Sequence, residues 1–343
     1  MPHPDTLELV HSWLKYHGVP SSSVSTTHGG SWLTLTDVPV LKANDILGAS
    51  YQLYRHIETN ETIVRTVGYS LPEVLDAHVR TVAPTTYFAS SRMLWQTTKK
   101  SSNRTAAGLV KSTSGEVVTV RDHTSEVHPD FLHWLYNTFA YEPAATDRNK
   151  LGVAGYSGES PSPTDQEMFM EYFQGSYPGA GYTVEEVNYG RYTPASPGLE
   201  GDTDVQYAEV MSYPTPITYY ITGHGLFGKH DAYLSWLLFM RHEPNLPQTI
   251  STSYSDYEKI YPRDYAIAMC DLFAELGARG VTVLFASGDE GVGLKKDCTI
   301  NGIPRFLPTF PASCTYAGFS LSVSTGNVTH LTATFSQVPL SRA

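Results

Sequence analysis

No stretch of the chain has the roughly 20 consecutive apolar residues that a bilayer-spanning helix needs. Positive charge is in short supply as well. Lys and Arg number 23 against 34 Asp and Glu, a net charge of -11 at pH 7, which argues against nucleic acid or an anionic membrane surface as partner. Charged residues make up only 17% of the chain and hydrophobic residues 41%, an ordinary globular balance, and 343 residues suffice for two domains with their own cores. The opening "MPHPDTLELVHSWLKYHG" has neither the apolar core nor the cleavage site of a signal peptide and reads as the interior of a helix. Cysteine is scarce and odd in number. Cys298 and Cys314 flank a loop, while Cys270 sits among apolar residues in a helical pattern. Two readings stand: three reduced thiols, or an oxidised Cys298–Cys314 loop that would add about 3 kcal/mol. Asn60, Asn103 and Asn327 begin N-x-[ST] sequons, which matter only if the chain is exported.

What is present falls into three regions. Up to about Phe88, short helical and strand patterns alternate: "DTLELVHSWLKYHG" and "LKANDILGAS" as helices, "GGSWLTLTDV", "YQLYRHI" and "TIVRTVGYS" as strands, and "LPEVLDAHVRTV" as a helix opened by proline. That order predicts a small α+β domain with an antiparallel sheet. From Ser90 to about Ser125 the chain turns rich in Ser, Thr, Lys and Gly and loses its period, the pattern of an exposed linker open to proteases. Beyond "DFLHWLYNTFAY", strand and helix patterns alternate from "KLGVAGY" to "VTVLFAS", with Thr164 and Glu167 forming a capping box at the head of one helix. Repeated βα units predict a parallel sheet covered by helices on both faces.

Carboxylates then draw the eye. In "LFASGDEGVG", Asp289 lies at the mouth of an apolar strand, among Gly288, Gly291 and Gly293. A surface turn accounts for this cheaply. The glycine spacing fits neither dinucleotide nor P-loop order. Open α/β sheets nevertheless bind ligands at the carboxyl ends of their strands, and Asp289 stands at such an end. In "GLEGDTDVQYAEV", Glu200 and Asp204 are four residues apart and so share one face of a helix, where like charges repel unless solvated or sharing a proton. An acidic helix N-terminus favoured by the macrodipole is the plainer account, and Asp202 fits it well.

"LEGDTDVQYAEVMSYPTP", "STSYSDYEKIYP", "FASGDEGVG" and "FLPTFPASC", in that order, resemble the sedolisins, the serine-carboxyl peptidases that include tripeptidyl peptidases. "LVHSWLKYHGV" and "YSLPEVLDAHVRTVAPTTYF" resemble their prosegment, and the likeness runs from Pro4 to Cys314. It implies a subtilisin-like parallel α/β domain preceded by an antiparallel α+β prosegment. The expected layout is a prosegment over residues 1–89, a linker with the maturation site over 90–125, a partial catalytic domain over 126–314 and a divergent tail over 315–343. The resemblance further implies Glu200 as general base, Asp204 as the acid that orients it, and Asp289 as oxyanion donor. Ser253, Tyr254 and Gly288 would meet the substrate. A Glu base suits acid: its pKa of about 4.3 leaves it able to accept a proton where a histidine, at about 6.5, is already charged. Asp289 would have to be protonated to donate to an oxyanion, as acid and a desolvated site both favour.

Other expectations carried by the resemblance are a peptide or protein substrate, an intramolecular prosegment as partner, a monomer, calcium, and an extracellular or lysosome- or vacuole-like acidic compartment. The chain departs from the pattern in places. No S-G-T-S segment follows Asp289 in the remaining 343 − 289 = 54 residues, no later Asp supplies the calcium site, and the start falls inside the prosegment. Ser255 stands where glycine is usual after "SY", and Thr203 where the pattern prefers an apolar residue. The expectation is therefore a peptidase-type chain without its nucleophile and inactive by itself, or else a non-catalytic relative.

Overall fold

The structure is a computed structural model. It describes residues 2–27, 29–55, 57, 60, 62–88, 109–111, 117–119, 129–138, 141–156, 158–173, 177–223, 232–286, 299–300, 302–304 and 307–320.

Helix α1 (Pro4–Tyr16) begins with proline in its first turn, where no backbone donor is lost, and His3 caps it by accepting from the Asp5 amide. Strands β1 (Val24–Thr26) and β2 (Leu33–Leu35) pair antiparallel. Helix α2 (Val40–Leu47) stops at Gly48, whose φ of 53° is left-handed and where a Cβ would stand 2.6 Å from Ser70 Oγ. Strands β3 (Gln52–Arg55) and β4 (Thr62–Arg65) form a second antiparallel pair. Val10 and Leu14 of α1 meet Ile46 and Leu47 of α2 and the fully buried Leu75 in a small core. The α+β expectation is borne out, with two corrections. The strands form two separate pairs rather than one sheet. The expected helix over "LPEVLDAHVRTV" shrinks to a 3₁₀ turn at Glu73–Leu75: Leu75 anchors it, while Val74 beside it faces solvent.

The stretch expected to be a featureless linker contains a further antiparallel pair, β5 (Leu109–Lys111) with β6 (Val117–Thr119), in keeping with its β-branched residues. A short helix α3 (Pro129–Leu135) follows.

The larger part alternates strand and helix. In chain order it comprises β7 (Leu151–Gly155), α4 (Pro163–Tyr172), β8 (Tyr182–Val187), α5 (Leu199–Ser212), β9 (Ile217–Thr222) and α6 (Ala232–His242). Then come β10 (Thr249–Thr252), β11 (Asp256–Tyr257), α7 (Arg263–Ala278), β12 (Thr282–Ala286), β13 (Thr299–Ile300), β14 (Ile303–Pro304), β15 (Thr309–Phe310) and β16 (Gly318–Ser320). Six strands form a parallel sheet in the order β16-β12-β10-β7-β9-β8. Its two faces separate by strand alternation. Val153, Tyr219 and Ile221 point to Val205 of α5, whereas Ala154, Tyr220, Ile250 and Phe285 meet Trp236, Leu237 and Met240 of α6 and Met269, Leu272 and Phe273 of α7. The parallel sheet with helices on both faces is thus as expected.

Three details differ from expectation. Helix α4 is capped by Ser162, whose hydroxyl accepts from the Asp165 amide, rather than by a Thr164–Glu167 box, because Pro163 already occupies its first turn. Residues expected to diverge after Cys314 supply the edge strand β16, with Leu284 opposite Gly318. Cys314 is disulfide-bonded to Cys270, their Cα atoms 5.6 Å apart, and not to Cys298, which lies outside the described residues. The pairing of β15 with β11 and the turn after it bring Cys314 into the core beside α7, within reach of Cys270.

The N-terminal part sits on the helices α6 and α7. Tyr87, 4% exposed, stacks on Tyr261 and Tyr265 with ring centroids 4.8 and 5.0 Å away, and Tyr261 packs on Phe310. The fully buried Arg65 donates Nε–H to the Tyr87 carbonyl at 2.7 Å. Around this plug, Arg241 bonds Thr27 and Ser31 and pairs with Glu275 at 3.0 Å, and Arg80 pairs with Asp271. The exposed Arg80–Asp271 pair adds little, and the aromatic burial carries most of the contact.

Candidate active site

Helix α5 starts where the loop after β7 crosses it. Gly198, its N-cap, donates N–H to the Ser160 carbonyl, and a side chain there would collide with the Glu159 carboxylate. Glu200 lies in the first turn of the helix and Asp204 one turn further, close enough for the negative Glu200 to act on the Asp204 carboxyl. Ser253, directly after β10 in the middle of the sheet, donates Oγ–H to Asp204 Oδ1 at 2.7 Å. Burial, and next to it the negative Glu200, hold the Asp204 carboxyl well above the usual carboxylate range, against the pull of the Ser253 hydroxyl.

Sequence reasoning missed a third acid. Glu159 follows β7 closely and adds its charge to the field at Asp204. Its carbonyl accepts from the Tyr219 hydroxyl at 2.6 Å, and its Oε2 is buried without a hydrogen-bond partner among the described residues. Room for that Tyr219 hydroxyl comes from Gly155, where a Cβ would collide with it. The available signal was positional: in an open parallel sheet, an acid just past the carboxyl end of a strand lies where ligands bind. Asp202 does other work. It accepts from the Ser162 amide at 2.7 Å, tying α5 to the start of α4, and burial pushes its carboxyl up to about 6.

The structure therefore brings Glu200, Asp204 and Ser253 together at the carboxyl end of β10. Tyr254 is 2% exposed, with its ring edge-on to Tyr156 at 4.9 Å, which leaves its backbone rather than its ring to meet a substrate. Ser255 is buried too, so its side chain does not stand in solvent. Gly288 and Asp289 lie outside the described residues. Among the described residues no group of three or more His, Cys, Asp or Glu could hold a metal ion, and no helix is long and apolar enough to cross a membrane.

This is a parallel α/β protein with two acids, Glu200 and Asp204, one turn apart at the carboxyl end of its sheet, preceded by a small α+β region. A family described as "Pro-kumamolisin, activation domain" matches residues 1–88. The probable tripeptidyl-peptidase SED3 of Trichophyton verrucosum (strain HKI 0517) is 30% identical over 334 residues, covering 92% of this chain and 54% of that protein. Tripeptidyl-peptidase SED4 of Arthroderma otae (strain ATCC MYA-4605 / CBS 113480) is 31% identical over 330 residues, covering 90% of this chain and 52% of that protein. Among solved structures, a Pseudomonas sedolisin complexed with pseudo-iodotyrostatin matches at 18% identity with a TM-score of 0.42, covering 56% of this chain and 52% of that one. The chain spans about half the length of the curated relatives it matches. It is related to the sedolisins, and its residues 1–88 match an activation domain.

Proposed function

We propose that the chain carries the acid–base half of a serine-carboxyl peptidase site. Glu200 is the general base, Asp204 the acid that orients it, and Asp289 a protonated oxyanion donor; the backbone at Ser253, Tyr254 and Gly288 meets a peptide substrate. The observation that supports this reading best is the stacking of Glu200 and Asp204 on one face of α5, with the Ser253 hydroxyl donated to Asp204 at 2.7 Å. A carboxylate can still accept a proton from a hydroxyl in acid, where histidine cannot. Covalent peptide hydrolysis also needs a serine nucleophile, and no S-G-T-S segment follows Asp289. These 343 residues alone are accordingly inactive, and turnover needs a serine they do not contain.

The working enzyme would act extracellularly or in an acidic compartment, as a monomer, after cleavage between residues 90 and 125 frees the prosegment. Among the described residues no group of three or more His, Cys, Asp or Glu could hold the calcium implied by the resemblance. The second reading is a non-catalytic relative that binds without cutting. The test is an acid-pH assay with a tripeptide-releasing fluorogenic substrate, run on this chain and on a longer form with an S-G-T-S segment. The chain alone should be silent. The longer form should turn over and lose that activity in Glu200→Gln, while folding normally. Full activity in Glu200→Gln would remove Glu200 as the base, and a folded but silent longer form would favour the second reading.

A further inference from the structure

We propose that Ser253 is a positioning residue for the acid pair: its hydroxyl, donated to Asp204 across the end of the sheet, fixes that carboxyl in the orientation that faces Glu200. The proposal rests on reading Glu200 and Asp204 as a working pair, and it assigns Ser253 a part different from substrate contact.

Geometry carries it. Asp204 is in the second turn of a helix, with a side chain free to rotate unless something outside the helix holds it. The partner that does so is Ser253 Oγ, at 2.7 Å from Oδ1. Ser253 comes one residue after β10, a strand hydrogen-bonded on both sides, to β7 and to β12. The donor is thus mounted at the end of an interior strand of the sheet, whereas the acceptor is on a helix lying over it. A hydroxyl that donates to one carboxylate oxygen leaves the other oxygen to Glu200. It also favours the ionised form of Asp204, and so helps to decide which of the two acids ionises first.

Among the described residues, the other groups in the field of Asp204 work the opposite way or are neutral. Glu200 on the same helix and Glu159 from the loop after β7 are both acidic and raise its pKa, as does burial. Tyr219 of β9 and Tyr254 beside Ser253 also lie in its field, but burial holds both hydroxyls protonated. Ser253 is the group that offsets the two acids, and its loss should leave Asp204 harder to ionise and less fixed.

The test is a carboxyl-carbon NMR titration of the intact chain with 13C-labelled aspartate, in which Asp204→Asn identifies the Asp204 signal. Ser253→Ala should move its titration midpoint up by about one pH unit, and Ser253→Thr, which keeps the hydroxyl, should bring it back. Ser253→Cys fills the same space with a poor donor and should behave as the alanine does; it serves if the alanine variant does not fold. A midpoint unchanged in Ser253→Ala or Ser253→Cys overturns the proposal, as does a threonine variant that titrates like alanine. Because the readout is a titration and not turnover, such a failure leaves the Glu200→Gln activity test untouched, and failure of that test leaves this one standing.

Discussion

Glu209 provides a sharp test of how burial governs this protein's response to pH. It sits on α5, only 3% exposed, with Oε1 accepting from the Gly181 amide at 3.2 Å and Oε2 buried without a hydrogen-bond partner among the described residues. Burial pushes its pKa from 4.5 to about 7, against the pull of the Gly181 amide. The folded chain therefore holds a proton there that the unfolded chain gives up. With the folded pKa raised, the stability linked to this group is fully present below pH 4.5 and is lost as pH climbs to about 7. One pKa unit is worth about 1.4 kcal/mol, which puts the ceiling at about 3 kcal/mol, and screening by solvent near the start of β8 lowers the expectation to about 2 kcal/mol. Glu209→Gln keeps the acceptor for Gly181 and cannot ionise. Urea unfolding followed by tryptophan fluorescence, at about pH 4.5 and about pH 7.5, should show the parent losing about 2 kcal/mol more than the variant between the two conditions. The raised Asp202 and Asp204 act in the same direction but cancel in that double difference. Equal losses in both proteins would refute the reasoning, and a larger loss in the variant would reverse its sign.

Two further outcomes are expected. Tyr87→Ala should lower stability by about 3 kcal/mol through the loss of its stack on Tyr261 and Tyr265, and Tyr87→Phe should recover most of it; an alanine variant with an unchanged urea midpoint would show that the plug contributes nothing. Limited proteolysis of the intact chain should cut first between residues 90 and 125, and early cuts between Asp5 and Phe88 would move the proposed boundary.

The sheet was the most legible part of the molecule. "ITYYIT" and "VTVLFAS" are apolar on both faces because helices cover both, and such runs admit few other readings. The acid pair was legible for a similar reason, since a spacing of four on a helix can only stack Glu200 over Asp204. What escaped depended on tertiary contacts. "LPEVLDAHVRTV" has the composition of a helix, but the buried Leu75 holds a single turn there. Cys270 looked like a core thiol because its partner is 44 residues away in sequence and joined to it by the fold. Glu159 has no periodic signature at all; its place follows from where β7 ends.

The Cys270–Cys314 bond closes the chain into a covalent ring. By sequence that ring takes in β12, Gly288 and Asp289, so the proposed oxyanion donor belongs to a tethered loop with both ends moored to α7. In the unfolded chain a closure of that length removes about 4 kcal/mol of conformational entropy. Such a tether holds where thiols stay oxidised, as they do outside the cytosol. In a reducing compartment the segment around Cys314 would be joined to α7 by packing alone.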